Sequence, residues 1–70
     1  MSDMHEDARV LRIVLNQLKE RESILSERLT AGGAKDFPEY REVCGNIQGL
    51  LFAQSIIHDL VRKLEQIDND

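Results

Sequence analysis

Residues 29–39 read Leu-Thr-Ala-Gly-Gly-Ala-Lys-Asp-Phe-Pro-Glu, and the architecture follows from this one break. Gly32, Gly33 and Pro38 stand close together here, and no other part of the chain concentrates strong breakers in this way. Gly32 suits the left-handed position just past a helix end. Pro38 suits the first turn of the next helix, where a missing N–H costs nothing. Asp36 and Glu39 form Asp-x-x-Glu, a relative of the capping box whose acids also complement a helix N-terminus. The same spacing opens the chain as Asp3-Met-His-Glu6. Working outward, the breaks predict one helix over about 4–30, a loop over 31–36 and a second helix over about 37–67.

The apolar pattern on both sides of the break has a helical period. Met4, Ala8, Leu11, Leu15, Leu18, Glu22, Leu25 and Leu29 step by fours and threes. So do Val43, Asn46, Leu50, Ala53, Ile57, Leu60, Leu64 and Ile67. This alternation belongs to helices packed side by side at a shallow angle. A short loop makes them antiparallel. The expected fold is all-α: a coiled-coil-like two-helix hairpin forming one domain over residues 1–70. Glu22 interrupts the leucine line, and the expected seam sets it opposite Asn46, either as a polar pair that fixes register or, equally, as one side of a salt link to a second subunit.

Seventy residues form a marginal core, because a chain of this size buries only about 60% of its unfolded surface. Small proteins usually add a disulfide, a metal or a partner subunit. One cysteine excludes an internal disulfide, and His5 and His58 are too far apart in sequence to give metal-site spacing with it. Association is left. Both helices carry apolar residues outside the expected seam: Val10, Ile13 and Ile24 on the first, Phe52 and Ile56 on the second, with Ile47, Leu51 and Val61 flanking. Such second stripes need a further partner, most simply another copy in a helical bundle, giving a dimer or higher homo-oligomer.

Gly45 and Gly49 raise a separate question, since a helical glycine costs roughly 1 kcal/mol relative to alanine. Together with Ala53 they are spaced four apart and line one face. Three roles are open: close packing against the first helix or a second subunit, a bend, or contact with a ligand or partner protein. For a turn near residue 33, Gly45 and Gly49 should lie level with Ser23 and Lys19. Phe37 and Tyr40, at the loop end, are expected to cap the core there, with a partner-binding tip as the alternative.

The run Glu39-Tyr-Arg-Glu-Val-Cys-Gly-Asn-Ile-Gln-Gly-Leu50, after a Gly-Gly loop and before Ile57-His-Asp-Leu60, resembles small helical-hairpin proteins of tailed bacteriophages, of the short-tailed type. The resemblance spans about residues 28–65. It implies a phage origin and a place among virion or assembly proteins, in the host bacterial cytoplasm or in the particle.

Other classes find little support in the residues. The formal net charge is −4, and neither sign forms a run of five, so the clustered bases of a nucleic-acid surface are missing. Apolar runs fall far short of the roughly 20 residues of a membrane span. The acidic start, MSDMHEDARV, does not have the basic then apolar order of a signal peptide. No nucleophile–base pair, phosphate loop or carboxylate dyad appears, so neither an enzyme nor a cofactor is expected. Cys44 reads as a small buried hydrophobe and His58 as a half-buried interface histidine. Three functions remain: a structural or assembly component, which the resemblance places in a phage particle; a small regulator that binds a host or phage protein; and, ranked last because bases are interleaved with the acids, a nucleic-acid mimic.

Overall fold

A computed structural model describes the backbone of residues 4–69 and the side chains of residues 5–66. Two helices account for nearly all of it, α1 (Met4–Thr30) and α2 (Phe37–Asn69). They form an elongated antiparallel hairpin with extents of 51 × 18 × 14 Å. The expected boundaries stand, apart from two further residues at the end of α2.

The break is built from local chemistry. The N–H of Gly33 donates to the Arg28 carbonyl at 2.8 Å, and that of Gly32 to the Leu29 carbonyl at 3.0 Å. This crossed pair of bonds satisfies carbonyls that the end of α1 leaves open. Gly32 has φ of +77°, a backbone state that side-chain-bearing residues adopt only at a cost. Gly33 is required for a different reason. A Cβ there would come within 2.6 Å of Arg28 Cγ and 2.7 Å of the Arg28 carbonyl oxygen.

At the start of α2, the N–H of Glu39 donates to Asp36 Oδ1 at 2.9 Å. Glu39 in turn accepts from the Lys35 N–H at 3.0 Å and from Arg28 Nη2 at 3.1 Å. One carboxylate thus fastens the loop to the ends of both helices. At the open end, Arg12 pairs with Glu65 across the hairpin.

The seam of α1 follows the expected line: Ala8, Leu15 and Leu25 are buried, and Leu11, Leu18, Glu22 and Leu29 are half-buried. Met4 and Ile67, at the ends of the expected lines, lie outside the described side chains. The seam of α2 differs from expectation. Val43, Leu50, Ile57 and Leu64 face α1, but the positions between them are Ile47, Gln54 and Val61. Asn46 is exposed, and Leu60 keeps 44% of its surface in solvent. Ala53 is half-buried beside the seam. The seam buries Val61 outright and half-buries Ile47, and it gives Glu22 a partner: Gln54 Nε2 donates to Glu22 Oε1 at 3.0 Å. Asn46 is not that partner.

Candidate interaction surface

The hairpin leaves large apolar residues uncovered along both helices. Val10 and Ile13 are each 53% exposed, Ile24 and Ile56 about half exposed, and Phe52 70% exposed. Helical geometry explains their position. Nine residues make two and a half turns. Phe52 is nine residues from both Val43 and Val61, and Ile24 is nine from Leu15. Each therefore points away from the neighbouring helix, and the two stripes run along opposite edges of the molecule.

Gly45 and Gly49 lie beside Phe52 on α2. They share a shallow groove with Asn46 and Leu50 and with Arg21 and Leu25 of α1. Arg21 and Leu25 stand on either side of the expected Ser23. Both glycines are exposed, and a Cβ added at either would meet nothing within 4 Å. Close packing against α1 is therefore not their role in the hairpin. The groove is an open surface feature, and α2 runs through it as one continuous helix.

The loop end also departs from expectation. Phe37 is 67% exposed and Tyr40 47% exposed, so neither caps the core. Their rings stack on each other instead, with centroids 6.3 Å apart and planes inclined by 18°. A second groove next to them is lined by Arg41, Cys44, Gly45 and Gln48. Cys44 is half-buried. Its hydrogen bond with Tyr40, followed by the charge its thiol can carry, raises the phenol above its ordinary 10.0.

His58 is exposed, in contrast to the half-buried position expected for it. It borders a groove with Leu15, Lys19, Leu51, Gln54, Ser55 and Asp59. Among the described residues, no group of three His, Cys, Asp or Glu side chains has metal-site geometry. No described helix is long and apolar enough to cross a membrane.

Val14 and Leu60 add to the exposed apolar surface, at 37% and 44%. Sequence reading missed Val14, which lies next to the leucine line, and placed Leu60 inside the seam. Their exposure depends on how the helices are rotated about their axes, and a 3–4 alternation leaves that rotation open by one residue.

No family model, characterised protein or solved structure matches this chain.

Proposed function

We propose that this protein works by contact and not by chemistry, as a hairpin that associates with copies of itself through helix–helix packing and serves as a structural or assembly component of a phage particle. The observation that carries this reading is the apolar surface left outside the seam. Five hydrophobic residues are buried among the described positions, while ten large ones are exposed. A soluble monomer rarely presents such an imbalance, and contiguous apolar strips of this kind normally mark interfaces. The described grooves are open to solvent and shallow, whereas a reaction needs polar groups converging in a pocket that excludes water. The phage assignment rests on the Glu39–Leu50 run and its Gly-Gly loop.

Light scattering at micromolar concentration is expected to return a mass of at least two chains, with a melting midpoint that rises with concentration. A folded monomer with a concentration-independent midpoint would remove the argument. The particle assignment is tested by mass spectrometry of purified virions from the genome that encodes the chain.

One observation favours a second reading, a regulator of another protein. The stacked Phe37–Tyr40 pair is exposed at the loop end of the hairpin, and exposed aromatics often anchor partners. Loss of a partner on Phe37→Ala and Tyr40→Ala, with self-association unchanged, would support it.

A further inference from the structure

The self-association reading leaves open which surfaces meet and in what arrangement. Resting on that reading, we infer that two copies pair through the outer face of α2, antiparallel about a two-fold axis near residue 50, with Phe52 of each copy seated over Gly49 of the other.

The argument starts from the order of residues along that face. Gly45, Gly49, Phe52 and Ile56 step by four, three and four, so they form one stripe suited to a facing helix. The stripe is small in its first half and large in its second. Reversed about its own midpoint, it sets Phe52 against Gly49 and Ile56 against Gly45. Open space stands over both glycines, and Phe52 is the most exposed of the large hydrophobic residues among the described positions. The face therefore fits itself. Two-fold interfaces place one patch against its own copy, so self-fit is the property they require.

Charge provides the second, independent line. Arg41 and Asp59 are eighteen residues apart, five full helical turns, so they lie on one line beside the stripe. Their midpoint is residue 50, and the glycine–apolar pairs are centred between 50 and 51. In an antiparallel pair each flank meets its own counterpart, so Arg41 of one copy faces Asp59 of the other, twice per dimer. Among the described residues, neither has an ion-pair partner within the chain. Glu42 lies on the opposite flank, the one that carries Leu60, so although it is about level with Asp59 of the second copy, the width of the stripe separates the two acids. An unrelated helix would have to match this order of charge by chance, whereas a second copy matches it by symmetry.

The test combines a cross-link with a charge exchange. In a C44S background, G49C should form an intermolecular disulfide under mild oxidation, while I24C on the other edge should not. R41D and D59R alone should each weaken the dimer about tenfold in sedimentation equilibrium, since each breaks two symmetric pairs. R41D/D59R together should recover most of that loss. Circular dichroism of each variant checks that the exposed substitutions leave the helices formed. A dimer that cross-links through I24C, or that ignores both charge reversals, would overturn this arrangement while leaving self-association standing. A chain that stays monomeric at every concentration would overturn both.

Discussion

Gln54 donates a hydrogen bond of 3.0 Å to Glu22 across the seam, joining the two polar residues that interrupt the apolar lines of the hairpin. Both are half-buried. A carboxylate in such a place is costly unless a donor meets it. Gln54→Leu is accordingly expected to destabilise the hairpin by about 1–2 kcal/mol. Replacing both residues by leucine should recover that loss or exceed it, because an apolar pair needs no partner. Urea denaturation of the two single variants and the double variant measures the coupling. A double variant no better than the sum of the singles would count against the pairing.

The loop makes a second prediction. Asp36→Ala removes the side chain that accepts the Glu39 N–H and should cost about 1 kcal/mol, with Asp36→Ser retaining most of the stability. Gly32→Ala should cost about 1 kcal/mol through its positive φ. Gly33→Ala should cost more, because its Cβ would meet the Arg28 carbonyl oxygen, which cannot move without disturbing the end of α1. Thermal melts rank the three.

The glycines of α2 should respond with opposite signs in two assays. Gly49→Leu fills open space in the hairpin. At concentrations where the chain is monomeric, it should raise the melting temperature, corresponding to up to about 1 kcal/mol. In sedimentation equilibrium the same substitution should weaken pairing, since leucine would occupy the place of Phe52 of the second copy. A fall in both would mean that Gly49 packs within its own chain.

The two apolar edges should fail separately. Phe52→Glu is expected to abolish the α2 pair, with a loss of about a hundredfold in affinity, as for a central aromatic anchor. Ile24→Asp lies on the α1 edge and should leave the pair intact while removing any larger species. Light scattering distinguishes dimer from higher assemblies in each case.

Alkaline titration addresses the loop end. The hydrogen bond with Cys44 raises Tyr40 above 10.0 in the folded chain. For a group whose folded value is raised, the stabilisation is complete below the unfolded value. It is lost as pH climbs through the folded one. Cys44→Ala should therefore lower the Tyr40 midpoint towards 10.0, read from phenolate absorbance. An unchanged midpoint would show that the thiol does not act on the phenol.

The helices and their break could be read from residue order because their causes are local. The bonds that end α1 and begin α2 connect residues at most five apart, and the residues they need, Gly32, Gly33 and Asp36, stand in that order. The leucine line of α1 was legible for the same reason. The outer stripes were legible too, because nine residues always turn a helix to its far side.

The partner line on α2 was not legible. Val43, Leu50, Ile57 and Leu64 belong to two alternations, one passing through Asn46, Ala53 and Leu60, the other through Ile47, Gln54 and Val61. The two differ by a rotation of about 100° at the intervening positions, and either satisfies a heptad. The choice depends on α1, which supplies the Glu22 carboxylate that Gln54 meets and the apolar surface that covers Ile47 and Val61. The open space over Gly45 and Gly49 likewise appears only in the packed pair, where Arg21 and Leu25 of α1 line the same groove without reaching them. Local order specifies where a helix starts, where it stops and how its residues are spaced around it. The rotation of one helix against the other is a property of the pair, set by which side chains bury each other and which polar groups find partners.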